Sequence, residues 1–155
     1  MMTRIDPKDV QRLRTESGAG VMDSKRALED AGGDYAKALG LLKQRGLESV
    51  AKKSGREAKE GVIASYIHGN GRVGSLVELA SETDFVSRGE EFQKLAREIA
   101  MQVVAMEPAS VDELLEQPYI RDASKKIKDL VTEVASTTKE NVHVRRIQRF
   151  ALGES

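Results

Sequence analysis

Apolar positions in the first part of the chain recur at helical spacing in three short runs. Asp6-Pro7 opens the first, a carboxylate N-cap followed by proline in the first turn. Val10 and Leu13 form its apolar stripe, and Ser17-Gly18 closes it. Beyond Gly18-Ala19-Gly20, the residues Val21, Ser24, Leu28 and Ala31 fall on one helical face, and Gly32-Gly33 ends that run. Asp34 is placed to cap a third helix carrying Tyr35, Ala38, Leu39 and Leu42, with a C-terminal stop expected at Gly46. Three helices of about ten residues bury a core that is marginal by itself, which suits a docking module.

Residues 47–60 are polar, basic and interrupted by Gly55, and predict a short helix followed by a solvated linker. The period changes at Gly61. Residues 62–68 are β-branched and aromatic, and residues 72–80 place Val73, Ser75, Val77 and Leu79 on one side. Gly69-Asn70-Gly71 between them supplies the positive-φ residues of a tight hairpin. Ser87-Arg88-Gly89-Glu90 has capping-box spacing ahead of a broad apolar face formed by Phe92, Leu95, Ala96, Ile99, Ala100, Val103 and Val104. Another helix carries Ile127, Leu130, Val131, Val134 and Ala135, and Val142 to Phe150 predicts a third strand. The expected organisation is α+β. A three-helix module over residues 1–46 and a linker over 47–60 precede a core and dimerisation domain over 61–155, where an antiparallel sheet of about three strands packs with helices.

Composition narrows the functional classes. The 155 residues are 39% hydrophobic and 32% charged, and no apolar run approaches a bilayer span of about 20 residues. No apolar leader or transit-type sequence opens the chain, so the cytoplasm is the expected compartment. The absence of cysteine excludes disulfides, thiol nucleophiles and the usual zinc sites. Net charge is zero, with 13 Lys+Arg against 9 Asp+Glu in residues 1–59 and 12 against 16 in the remainder. That asymmetry is mild and aromatics are only 4%, so a protein partner is expected rather than nucleic acid or a membrane.

No constellation for covalent chemistry emerges. Gly55 to Gly61 has the wrong spacing for a phosphate loop, and no Lys-Ser/Thr pair follows. His68 and His143 lie on predicted strands without clustered carboxylates and are read as structural. Arg145, Arg146 and Arg149 are read as one solvated or interface face of the last strand, and Glu90-Glu91 as favourable charge at a helix start.

Two segments carry a resemblance. LRTESGAGVMDSKRAL at 13–28, followed by Gly33-Asp34, resembles the N-terminal signature of the elongation factor Ts family, usually T-G-A-G-M-M-D-C-K-x-A-L. ELASETDFVSR at 78–88 resembles its second signature, E-x-N-x-E-T-D-F-V-x-R. KKSGREAKEG, HGNGRVG, LLEQPYIRD and ENVHVRRIQRFALGE follow the family in order, so the likeness runs over nearly the whole chain. Ser17 stands for Thr, Val21 for the first Met, Ser24 for Cys and Ala80 for Asn. The chain is similar to short forms of the family, in which two copies pair, and a homodimer is implied.

The resemblance implies a ubiquitin-associated-like N-terminal module and a non-enzymatic, cofactor-free guanine-nucleotide exchange factor for elongation factor Tu, binding both its GDP-bound and nucleotide-free forms. It further implies that Thr83, Asp84, Phe85 and Val86 enter the partner's G domain near its Mg²⁺ site. Phe85 acts there as an apolar wedge and Asp84 as a competing carboxylate. Arg14, Ser17, Gly18, Ala19, Gly20, Val21 and Met22 are implied to dock on the same domain. By position alone, Phe85 and Val86 belong in the core, since most phenylalanines pack inside. Val21 suits the local helical core equally well. Three other readings stay open: a plain interaction module without effect on nucleotide release, a small RNA-binding protein with strongly salt-dependent affinity, and an enzyme.

Overall fold

A computed structural model describes residues 4–154. The chain divides into two compact units, Met1–Lys52 and Lys53–Ser155.

The first unit contains α1 (Pro7–Ser17), α2 (Val21–Asp30) and all but the last residue of α3 (Tyr35–Lys53). Asp6 accepts from the Lys8 amide at 2.9 Å, and Asp34 from that of Lys37 at 3.1 Å, so both expected caps form. Leu13, Ala27, Leu28, Ala31, Ala38 and Leu42 are the buried cluster, with Ile5, Val10 and Tyr35 packed at its edge. Arg12 stacks 4.1 Å above the Tyr35 ring, whose hydroxyl donates to Glu16. Two expectations change. Gly46 does not stop the third helix, which continues to Lys53. A glycine ends a helix when it takes the left-handed conformation, as Gly18 does at φ 75°, and Gly46 does not. Val21 shares the spacing of Ser24 and Leu28 but is exposed, because it is the first residue of α2 and the buried part of that helix begins at Ser24.

The second unit is built on a three-stranded antiparallel sheet, order β1-β2-β5, formed by β1 (Glu60–His68), β2 (Val73–Ser81) and β5 (His143–Ala151). Gly69 and Gly71, at φ 55° and 83°, turn β1 into β2. Val77 and Leu79 are fully buried on the side that α5 (Glu90–Met106) covers, and the Ser75 hydroxyl donates to the Ala100 carbonyl at 2.7 Å. Between β2 and α5 comes α4 (Asp84–Ser87). Beyond α5 lie α6 (Val111–Glu116), a small hairpin of β3 (Pro118–Tyr119) and β4 (Asp122–Lys126), and α7 (Ile127–Thr138), which packs on α5. The architecture is α+β, helices first and a small helix-covered antiparallel sheet after, as the sequence indicated.

A bulge between Glu78 and Leu79 leaves Arg145 outside the β2–β5 register, while Arg146 and Arg149, three residues apart in a regular stretch, face opposite sides of the sheet. Arg146 pairs with Glu78 at 2.6 Å on the uncovered face of the sheet. Arg149 turns to the helical side and donates to the Val104 carbonyl at 3.3 Å. They do not form one face. Ser87 does not cap α5 either: the residue before that helix is Gly89, and the Ser87 hydroxyl donates back to the Asp84 carbonyl at 3.2 Å.

Candidate functional site

Residues 83–86, between β2 and α5, form the start of a one-turn helix. Thr83 is its N-cap, with extended backbone, and accepts from the Val86 amide at 3.4 Å. The turn is gripped from below. Ser81, fully buried, donates to the Thr83 carbonyl at 2.9 Å, and Gln93 donates to that of Ser87 at 2.6 Å. Glu140, two residues past the end of α7, accepts from the Glu82 and Thr83 amides at 3.1 and 3.0 Å and from the Thr83 hydroxyl at 2.6 Å. In return Glu82 accepts the Asn141 amide at 2.8 Å, and Asn141 donates to the carbonyls of Ser54 and Arg56 at 3.3 and 2.7 Å.

On this anchored turn Phe85 is 87% exposed. Asp84 is exposed beside it, and Val86 is half-buried. The placement of Phe85 in the core is therefore overturned: the ring projects into solvent while the backbone beneath it is tied down. A phenylalanine left in water forgoes roughly 1.5–3 kcal/mol of burial free energy, which a partner can recover.

The second candidate set lies in the first unit. Gly18, left-handed, donates its amide to the Arg14 carbonyl at 2.9 Å, and the Ser17 hydroxyl donates to that of Leu13 at 2.6 Å while accepting the Ala19 amide at 3.2 Å. Arg14, Val21 and Met22 are exposed, the last two by 47% and 59%. Gly20 has an ordinary φ of −68°, and no atom lies within 4 Å of where a Cβ would stand. The chain's own fold does not require glycine there.

Among the described residues no group of three or more His, Cys, Asp or Glu side chains is placed to hold a metal ion, and no helix is long and apolar enough to cross a membrane. Burial pushes the His143 imidazole below its ordinary pKa, helped by Arg145 and opposed by Glu78. Burial and a hydrogen bond to Glu98 push the Tyr119 phenol up to about 12. Depressions in the surface lie over α1, lined by Lys8, Gln11, Arg12, Thr15 and Glu16, and on the uncovered sheet face; neither is lined by Asp84 or Phe85.

With this geometry in hand, likeness to known proteins decides the family. The family described as Elongation factor TS matches residues 82–155, a span that begins at the anchored turn. The curated elongation factor Ts of Carboxydothermus hydrogenoformans is 42% identical, over 97% of this chain and 90% of the relative. The chain belongs to the elongation factor Ts family. The elongation factor Ts of Anaeromyxobacter dehalogenans is 40% identical over 99% of the chain and 90% of the relative, and that of Oleidesulfovibrio alaskensis 39% identical over 98% and 100%. The alignment with the A. dehalogenans factor spans 198 positions, more than the 155 residues here, so that elongation factor Ts carries inserted segments that this one lacks. Membership makes the chain a translation elongation factor. The family's usual Asn gives way at Ala80, which is 2% exposed and faces Gly61 and His143 in the sheet.

Glu140, Ser81 and Gln93 were not singled out in the sequence. Glu140 lies 57 residues from Thr83, and no local spacing links them.

Proposed function

We propose that this chain releases GDP from elongation factor Tu, acting in the cytoplasm as a guanine-nucleotide exchange factor without covalent chemistry. Bound GDP is held by its phosphate contacts and by Mg²⁺, an ion that demands near-ideal octahedral oxygen ligation. A second protein loosens it only by binding the nucleotide-free or Mg²⁺-disturbed state more tightly than the GDP state. The tool for that is the Thr83–Val86 turn. Phe85 enters between elements of the partner's G domain, and the Asp84 carboxylate competes for hydrogen bonds or repels an Mg²⁺-ligating acid. Arg14 and the Ser17–Met22 turn dock on the same domain, with Gly18 and Gly20 admitting close backbone approach.

The observation that carries this reading is the exposed Phe85 ring on a turn held by three separate side chains. The test is release of fluorescent GDP from a bacterial elongation factor Tu. Addition of the chain accelerates release, and excess GDP dissociates the two proteins, since the coupling is reciprocal. Unchanged release rejects the function.

A second copy of the chain is a further partner. The uncovered face of the sheet presents Ile63, Ile67, Leu76 and Phe150, with Leu152 beside them, all among the exposed large apolar side chains. Glu78 on that face is held by two arginines, Arg146 at 2.6 Å and Arg145 at 3.4 Å. Burying one such patch against its own image removes both from water. Sizing in solution returns twice the chain mass, and Leu76→Asp returns one; a monomeric parent rejects the homodimer.

A further inference from the structure

We infer that Glu140 is the positioning residue of the exchange turn, acting through Thr83 to set where Asp84 and Phe85 point. This rests on the exchange function proposed above. The four residues of α4 are too few for a stable isolated helix, since closing a single turn is unfavourable by itself. On the outer side Phe85 is almost free of contacts with its own chain, so nothing there fixes its direction. Its direction is set from the inner side. Of the three side chains that grip the turn from elsewhere, Ser81 and Gln93 each make one hydrogen bond with it, while Glu140 accepts two from Thr83 and a third from Glu82. Glu140 is also the charged member, and hydrogen bonds to an ionised acceptor are shorter and about twice as strong as neutral ones.

The grip is reciprocal. Glu140 takes the amide of Glu82, and Glu82 takes the amide of Asn141, the residue after Glu140. The connection from α7 to β5 and the start of the exchange turn are thereby fixed to each other at both backbones. Asn141 extends the same lattice to Ser54 and Arg56, so it, too, is tied at both ends. A wedge works only when its reach and direction are kept while the partner resists, and small misplacement of such a group is costly. Glu140 supplies that stiffness from within the chain's own fold.

The test compares the parent with Glu140→Ala, Glu140→Gln and Phe85→Ala, reading the maximal GDP-release rate and the half-saturating concentration separately. Glu140→Ala lowers the maximal rate roughly tenfold and leaves the half-saturating concentration in place. Glu140→Gln restores most of the rate, because its amide oxygen accepts the two backbone amides while its amide nitrogen donates to the Thr83 hydroxyl. In a background lacking both side chains (Asp84→Ala with Phe85→Ala), Glu140→Ala adds no further loss. A full rate in Glu140→Ala, a Gln variant no better than Ala, or losses that multiply in the doubly substituted background would each overturn the assignment. Hydrogen exchange of the free protein separates this from the exchange function. Glu140→Ala speeds exchange at the Glu82 and Thr83 amides while the protection of α5 is kept. Unchanged protection at those two amides overturns the clamp, whatever the protein does to GDP.

Discussion

The Asp84 carboxylate lies 3.3 Å from the Arg88 guanidinium, one helical turn further along, and both side chains stand mostly in solvent. An exposed pair of this kind is worth about 0–1 kcal/mol. It steers the carboxylate without capturing it, so a partner's cation or hydrogen-bond donor can take Asp84 away at little cost. Arg88→Ala is therefore expected to change stability by less than about 0.5 kcal/mol and to keep GDP release within about twofold of the parent. Asp84→Ala, in contrast, lowers release roughly tenfold. Stopped-flow release with both variants checks the pair, and equal losses would mean that the ion pair itself, rather than Asp84, is what the partner meets.

Ser24 is fully buried in α2, and its hydroxyl has no hydrogen-bond partner. It stands where the family signature has Cys, a small side chain with weaker hydrogen-bonding demands. Leaving a buried hydroxyl unpaired costs about 1–3 kcal/mol, so Ser24→Ala and Ser24→Cys are both expected to stabilise the first unit by about 1 kcal/mol after the loss of packing. Thermal melting measures this, and a lower melting temperature in both variants would contradict it.

The parts legible in the sequence were those set by local rules. Asp6 and Asp34 cap as expected, the Gly69–Gly71 hairpin forms, and the inward side of β2 is the predicted one. The departures come where tertiary contacts outweigh a local signal. Gly46 looked like a stop, yet a helix interior tolerates glycine at about 1 kcal/mol when its flanks hold. Ser87 had capping spacing, but the chain spends that hydroxyl on the Asp84 carbonyl and starts α5 two residues later. The three arginines cannot share one face, because Arg146 and Arg149 are three residues apart in a regular stretch of strand and so point to opposite sides. Phe85 shows the opposite case: burial was the expectation from residue type, and family likeness alone pointed outward. The clamp at Glu140 left no trace in the sequence, since a contact across 57 residues has no period.

His143 gives the fold a pH dependence. Burial first, and then the Arg145 charge, hold its imidazole below the ordinary value of 6.5, with Glu78 acting in the other direction. The unfolded chain therefore binds this proton more readily than the folded one. The contribution to stability is present above the unfolded value and is lost as pH falls through it toward the lower folded value. The parent's melting temperature is expected to drop between about pH 7 and pH 5.5 more than that of His143→Gln. Parallel curves for the two proteins would show that the imidazole stays uncoupled from folding.

The central claim concerns the ring at position 85, and one comparison reaches it directly. Phe85→Ala removes a side chain that is 87% exposed, so the melting temperature should stay where it is. If that ring is the wedge, the same variant should slow fluorescent-GDP release from elongation factor Tu roughly tenfold or more, the equivalent of the ~1.5–3 kcal/mol that burying a phenylalanine supplies. Release at the parental rate by a folded Phe85→Ala protein would contradict the account.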